Sequence, residues 1–185
     1  MDMNSVQSFF NQADAFARHS GMTLTEVREG YARAEMELRP YHLNGANTVH
    51  GGALFTLADF AFAAASNSRG QLALSINSSI SIFKGAQQGR LIAEAREISN
   101  SPKLASFEAT IRNEAGDLLA TFQGMVYRKS VSLESLLLQE TRATDTGYSD
   151  STSTSNCESL TSVSDSACGD SADSSGSCDS GGGGD

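Results

Sequence analysis

The spacing of hydrophobic positions changes twice within the first third of the chain. Apolar residues recur at intervals of three, four and seven over residues 6–17, which predicts an amphipathic helix that ends at Gly21. Residues 24–28 and 32–38 then lie on either side of Glu29-Gly30, and apolar and polar residues alternate through the second of these segments. A period of two with a central glycine turn is typical of a β-hairpin.

A second helix of a different kind follows a loop rich in Asn, Gly and His. Residues 54–65 carry an apolar stripe at helical spacing, and alanines make the other faces small and apolar too, as expected for a buried helix. Four segments with strand-like patterns come next and predict an antiparallel meander, at residues 72–83, 91–98, 104–112 and 118–127. Residues 131–139 suggest a short terminal helix. One sheet wrapped around the buried helix is the economical packing, so the predicted fold class is α+β.

Charge divides the chain into two parts. Of its 13 basic and 22 acidic residues, residues 1–139 hold 12 and 13, whereas residues 140–185 hold one and nine, a net charge of −8. This second part is mostly Ser, Thr, Asp and Gly, a composition that cannot bury enough apolar surface to offset the entropy of ordering. We therefore predict one domain over residues 1–139 and a disordered acidic tail over residues 140–185. The tail holds the chain's three cysteines, at spacings that match no metal or redox motif: Cys157, Cys168 and Cys178.

The same composition argues against several kinds of partner. A net negative charge disfavours nucleic acids and anionic membranes, and no apolar run approaches the roughly 18–20 residues that cross a bilayer. The first residues lack the basic and apolar regions of a secretory signal, so the expected location is the cytoplasm. A body with a net charge of −1 still permits a polyanionic small molecule to bind at a local basic patch.

Glycines stand directly before the buried helix, in His50-Gly51-Gly52. Glycine leaves the backbone amides uncovered, and the first turn of a helix carries free N–H groups and the positive end of the helix dipole. Such a site stabilises a carbonyl oxygen that gains negative charge. The alternative is that the glycines only permit tight packing of the loop.

An acidic residue, Asp59, interrupts the buried helix. An unpaired carboxylate is costly among Leu, Ala and Phe side chains, which makes Asp59 a candidate for chemistry. The alternatives are that it caps a neighbouring element or pairs with Arg69. Gly51 and Asp59 are eight residues apart, about 12 Å along a helix, so one reacting carbonyl would need the two from different subunits. Antiparallel packing of two such helices in a two-fold dimer would supply both.

Other types of active site are not indicated. No second His, Cys or acid lies at ligand spacing from His50, so a metal site is not expected. The body has no cysteine and no Gly-x-Ser-x-Gly motif, which disfavours covalent Ser and Cys hydrolases. The glycine patterns of nucleotide-binding loops are absent as well.

These motifs together resemble the signature of hotdog-fold thioesterases, and most closely the phenylacetic-acid-degradation (PaaI) branch. The resemblance spans about residues 5–130 and is carried by Leu43-Asn44-Gly45, His50-Gly51-Gly52 and Leu57-Ala58-Asp59. It implies a hotdog fold, with an antiparallel sheet around a central helix. One departure is Lys84-Gly85, where the family often has a basic residue followed by proline.

The resemblance also implies roles for individual residues. The Gly51 amide would polarise the thioester carbonyl, Asp59 would act as base or nucleophile, and Asn44 would orient water or substrate. Ser75 would position the water, and His50 would support the loop. The substrate-binding candidates are Gly52, Phe60, Lys84 and Arg90, although helix core is an equally good interpretation of Phe60 and solvated surface of the two basic residues.

The predicted function is hydrolysis of aryl-acyl thioesters such as phenylacetyl- and hydroxyphenylacetyl-coenzyme A (CoA), or of medium-chain acyl-CoA thioesters. CoA would be part of the substrate, so no separate cofactor is expected. The alternatives are a non-catalytic acyl-CoA-binding module and a hydroxyacyl thioester dehydratase, although the latter chemistry usually pairs a loop His with a helix Glu. A homodimer is expected at minimum, and tetramers are common in the family.

Overall fold

The computed structural model describes residues 2–135. The acidic tail predicted to be disordered, and residues 136–139 of the predicted terminal helix, lie outside the described residues. Within the described part, residues 131–132 continue the last strand instead of starting that helix, and residues 133–135 form a single helical turn.

The elements follow one another in the predicted order, with one difference at the N-terminus. They are α1 Met3–Ala13, α2 Ala15–His19, β1 Met22–Arg28, β2 Tyr31–Glu37, a 3-10 turn Pro40–His42, α3 Gly51–Asn67, β3 Gln71–Ile82, β4 Arg90–Asn100, β5 Leu104–Asn113 and β6 Leu118–Ser132. The predicted single first helix is divided at Asp14, whose backbone is extended. The Asp14 N–H donates the last hydrogen bond of α1 to the Phe10 carbonyl at 3.2 Å. The Asp14 carboxylate caps α2 by accepting the Ala17 N–H at 2.9 Å.

All six strands join one antiparallel sheet in the order β1-β2-β4-β5-β6-β3. The predicted four-strand meander is therefore wrong in one connection, because β3 pairs with β6 and not with β4. The reason is that β2 pairs with β4 from Tyr31↔Arg96 to Glu37↔Arg90. The position beside β4 is thus occupied, and β3 forms the opposite edge of the sheet.

Helix α3 lies at the centre of the hydrophobic core. Ten of its 17 residues are buried, and it contacts all six strands of the sheet. Small side chains on the inward face of the sheet let it approach the helix closely, and those that are buried are Ala32, Ala34, Ala93, Ala95, Ala105 and Ala109. The predicted α+β architecture, one antiparallel sheet wrapped around one hydrophobic helix, is confirmed.

Candidate functional site

The loop that leads into α3 is held by its own hydrogen bonds. The Asn44 side-chain oxygen accepts the N–H groups of Ala46 at 2.9 Å and Thr48 at 3.3 Å. The Val49 N–H donates to the Ala86 carbonyl at 2.7 Å, which ties the loop to the segment after β3. The first residue of α3 is therefore fixed in position before any ligand binds.

The two glycines at the start of α3 differ in what their amides do. His50 is the N-cap, and its Nδ1 accepts the Gly52 N–H at 2.9 Å. The His50 carbonyl accepts the next two amides, those of Ala53 and Leu54, at 2.9 and 3.3 Å. Within residues 2–135 the Gly51 N–H has no acceptor, so it is the amide that remains available at the positive end of the helix.

Asp59 is half-buried on α3 and has no partner for its carboxylate among the described residues. The alternative of an ion pair with Arg69 does not occur, since that guanidinium binds Glu29 at 2.9 Å and Glu97 at 2.6 Å. Burial, and to a lesser extent the negative charge of Asp14, raises the pKa of the Asp59 carboxyl above its ordinary value. A base with a raised pKa and free lone pairs is suited to removing a proton from water.

Asp59 opens into a cavity of about 350 Å³. The cavity lies among α1, α3, β3 and β6, and its lining residues are Phe9, Phe10, Asp59, Phe62, Ala63, Ser66, Asn67, Leu72, Ala73, Leu74, Ser75, Val126 and Leu133. Ser75 shares the cavity with Asp59 and precedes a β-bulge at Ser75/Asn77 in the pairing with β6. Its hydroxyl is 3.0 Å from that of Ser78.

The other predicted site residues do not line this cavity. Phe60 belongs to the core, with 2% of its surface exposed. Lys84 and Arg90 are both exposed and form surface ion pairs, with Asp117 at 2.9 Å and Glu35 at 3.2 Å. The remaining predicted site residues lie at or before the start of α3 and are not among the lining residues: Asn44, His50, Gly51 and Gly52.

Some lining residues were not among the predicted site residues. Phe9 and Phe10 of α1 and Leu133 after β6 line the cavity, yet their apolar character alone predicts only burial. The one available signal is the pair of adjacent aromatic residues, because an amphipathic helix needs only one of them on its core-facing stripe.

Comparison with known proteins assigns the family. A family profile described as the thioesterase superfamily matches residues 46–120. A protein of Archaeoglobus fulgidus that is named as an esterase is 48% identical over 124 residues, 66% of this chain and 80% of that protein. The chain therefore belongs to the thioesterase superfamily, and it is a thioester hydrolase.

The PaaI branch of that superfamily supplies further relatives. The acyl-coenzyme A thioesterase PaaI of Escherichia coli is 31% identical over 116 residues, 62% of this chain and 83% of that protein. The solved structure of the E. coli PaaI protein superposes with a TM-score of 0.68 at 29% identity, covering 70% of this chain and 95% of that one. These similarities confirm both the hotdog thioesterase family and its fold. None of the described helices has the length and apolarity needed to cross a membrane.

Proposed function

We propose that the protein hydrolyses acyl-CoA thioesters with aryl or medium-chain acyl groups to the free acid and CoA. The observation that carries the proposal is the Asp59 carboxylate, which has no partner in the described part of the chain and a raised pKa, at a mostly apolar cavity. Binding alone has no need of a half-buried acid, so this residue favours catalysis over a simple binding module.

In the proposed reaction the Gly51 amide and the dipole of α3 polarise the thioester carbonyl. Asp59 removes a proton from water as the water oxygen adds to the carbonyl carbon. The tetrahedral intermediate then collapses and the C–S bond breaks. Asp59 returns its proton to the departing sulfur, so CoA leaves as the free thiol and the carboxylate is regenerated. If Asp59 attacks directly instead, single-turnover hydrolysis in ¹⁸O-labelled water would place the label in its carboxylate.

We further propose that each site combines two subunits. Gly51 and Asp59 are about 12 Å apart along α3, too far for one carbonyl to contact both. The sheet also has an edge suited to self-association, since β3 is an edge strand of 12 residues with exposed Leu74, Ile76 and Ile82. A two-fold dimer of this kind, or a tetramer built from it, would hold two α3 helices antiparallel.

The remaining predicted residues take supporting roles in this proposal. Ser75, which lines the same cavity as Asp59, would hold the attacking water, and Asn44 and His50 would hold the loop and first turn that present the Gly51 amide. Gly52 and Phe60 would support substrate binding indirectly. The Gly52 amide would do so by holding the His50 ring at the start of α3, and Phe60 by packing in the core around that helix. Lys84 and Arg90 would exchange weak surface ion pairs for the phosphates of CoA.

The test measures free thiol released from phenylacetyl- and octanoyl-CoA by the purified chain and by two variants. We expect Asp59→Asn to lower kcat by about 10²–10⁴-fold. Gly51→Pro removes the N–H at the first helical position, where proline is favoured and where the extended backbone of His50 accommodates it. The Cβ that it adds would lie 3.3 Å from the Ile82 side chain, a contact that the alanine control shares. We expect this variant to lose about 10²–10³-fold, whereas the matched Gly51→Ala, which keeps the N–H, retains most of the activity.

Mixing the two inactive variants tests the shared site. In a mixed dimer, one site would combine an intact Gly51 with an intact Asp59, so unfolding and refolding the variants together should restore about a quarter of the wild-type sites. No recovery would show that each site lies within one subunit. Full activity in Asp59→Asn would overturn the mechanism, and absence of thiol release from every acyl-CoA would overturn the function.

A further inference from the structure

The cavity has a defined direction along α3. Five residues at spacings of three and one, Asp59, Phe62, Ala63, Ser66 and Asn67, form one face of the helix and line it. Asp59 and Asn67 are therefore about 12 Å apart along the helix axis. In the proposed two-subunit site the thioester carbonyl lies beside Asp59 and the Gly51 amide of a second subunit. The cavity therefore begins at that carbonyl and runs along α3 towards Asn67, which is where an acyl group attached to the carbonyl would lie.

The polar side chains at the far end of the cavity already bind one another. Asn67 is 3% exposed, and its amide group donates to the carbonyls of Ala63 at 3.0 Å and Ala73 at 3.1 Å. Its side-chain oxygen accepts the Ala73 N–H at 2.9 Å. The Ser66 hydroxyl donates to the Ala63 carbonyl at 3.0 Å and lies 3.3 Å from the Asn67 amide nitrogen.

These contacts determine what the far end can recognise. Every donor of Ser66 and Asn67 is engaged, and the neighbouring lining residues Leu72 and Leu133 are apolar. A substrate hydroxyl placed there would lose the hydrogen bonds that it accepts from water and would find no free side-chain donor in exchange. An unsubstituted hydrocarbon group would lose none.

Aromatic side chains form the walls of the cavity and are held in place. Phe9 and Phe10 of α1 pack edge to face, with ring centroids 5.3 Å apart. Helix α1 is fixed to β1 through Asn11, whose side chain both accepts the Leu24 N–H at 2.8 Å and donates to the Leu24 carbonyl at 3.1 Å. On the α3 side of the cavity, the Phe62 ring packs against Gly124, where even an added Cβ would come within 2.7 Å of it.

We propose that this cavity is the acyl pocket, that Phe9 and Phe10 limit its width, and that it selects acyl groups without a polar substituent at the end remote from the thioester. The proposal rests on the proposed function and deepens it. It assigns α1, which lies outside the segment matched by the family profile, a direct part in specificity.

The test compares kcat/KM for phenylacetyl-CoA and 4-hydroxyphenylacetyl-CoA, which differ only by a hydroxyl at the far end of the ring. We expect the unsubstituted thioester to be preferred by about 10–100-fold, because burying an unpaired hydroxyl carries that penalty. Equal or greater activity on the hydroxylated thioester would overturn the selectivity. Failure to hydrolyse either compound, or any other acyl-CoA, would overturn the proposed function itself, so the two failures are distinguishable.

Variants of α1 test the walls. We expect Phe9→Ala and Phe10→Ala to lower kcat/KM for phenylacetyl-CoA by about 10-fold and to raise the relative activity on the bulkier 1-naphthylacetyl-CoA. Phe16→Ala removes a ring of the same size from α2, where it is 65% exposed and outside the cavity, and should leave both values unchanged. The ratio of kcat/KM for the two substrates, measured in one preparation, does not depend on the fraction of the protein that is folded. An unaltered ratio in both α1 variants would overturn the assignment of Phe9 and Phe10.

Discussion

At the scale of single residues, the decisive feature is a carboxylate, that of Asp59, with no partner among residues 2–135. Burial raises the pKa of Asp59, and the charge of Asp14 raises it further. A carboxyl whose folded pKa exceeds the unfolded value stabilises the protein below the unfolded pKa, and that contribution is lost as the pH rises through the folded pKa. Ionised Asp59 therefore lowers the free energy of unfolding at neutral pH, as is common for active-site groups. Asp59→Asn should consequently remain folded.

The pH dependence of hydrolysis tests this electrostatic coupling. The reaction needs ionised Asp59, so kcat/KM should fall as the pH drops through a pKa above the ordinary 3.8. Asp14→Asn removes the like charge and should shift this acidic limb to lower pH. The measurement is the pH profile of kcat/KM for phenylacetyl-CoA in both proteins.

The matched control for that measurement is Asp2→Asn. Asp2 caps α1 as Asp14 caps α2, and asparagine serves as well at an N-cap, so both variants lose one negative charge and keep the cap. Of these two aspartates, only Asp14 raises the pKa of the Asp59 carboxyl. An acidic limb that moves equally in both variants would contradict a specific Asp14–Asp59 coupling.

At the scale of elements, a buried arginine joins the end of β6 to its neighbours. The Arg128 side chain is 7% exposed, and its guanidinium binds Glu97 at 2.8 Å, the Asn100 side chain and the Ser101 carbonyl at 2.8 Å. Its backbone pairs with Ala73 of β3, a residue that lines the cavity. The network therefore holds the sheet at the far end of the proposed acyl pocket.

Removing this arginine should destabilise the whole fold. We expect Arg128→Ala to lower the free energy of unfolding by about 1.5–3 kcal/mol, because it removes a buried side chain and its charge-assisted hydrogen bond to Glu97, a carboxylate that Arg69 still binds at 2.6 Å. Urea titration followed by circular dichroism measures the change. The control is Arg28→Ala, which breaks a pair with Glu26 whose side chains are 63% and 43% exposed and should cost less than about 1 kcal/mol. Similar losses in the two variants would contradict the role of burial.

At the scale of the whole molecule, most of the negative charge lies in a different part of the chain from the candidate site residues. Residues 1–139 have a net charge of −1 and residues 140–185 a net charge of −8. All candidate site residues lie at Arg90 or earlier in the chain, and among residues 2–135 the last one that lines the cavity is Leu133. We therefore predict that the proposed chemistry does not need the acidic segment.

Truncation tests that separation. A chain ending at residue 139 should keep kcat/KM for phenylacetyl-CoA within about two-fold, since it retains every lining residue that the structure describes. A chain ending at residue 131 lacks Leu133, which is 1% exposed and whose N–H donates to the Gly70 carbonyl at 2.8 Å. This shorter chain should lose stability and activity. A large loss already at residue 139 would show that the acidic segment takes part in function.

Much of the element pattern follows from the sequence because it depends on local periodicity. The buried helix and the six strands were predictable, since apolar spacing reports which faces are covered. Asp59 was predictable as a candidate because a lone acid contradicts its apolar surroundings. The division of the first helix at Asp14 was not, because aspartate inside a helical pattern and aspartate at a cap look alike until the backbone is known.

The sequence alone determined the class of fold, the two parts of the chain and the short motifs that identify the family, since each depends on residues close together in the chain. Only the tertiary structure decided that β3 pairs with β6, that Gly51 and not Gly52 keeps a free amide, and that Phe9 and Phe10 meet Asp59 across one cavity. The first and the last of these depend on pairing between distant segments, and the second depends on the placement of the His50 ring that caps α3. Local patterns say that a surface is covered, whereas the three-dimensional packing decides which residues cover it.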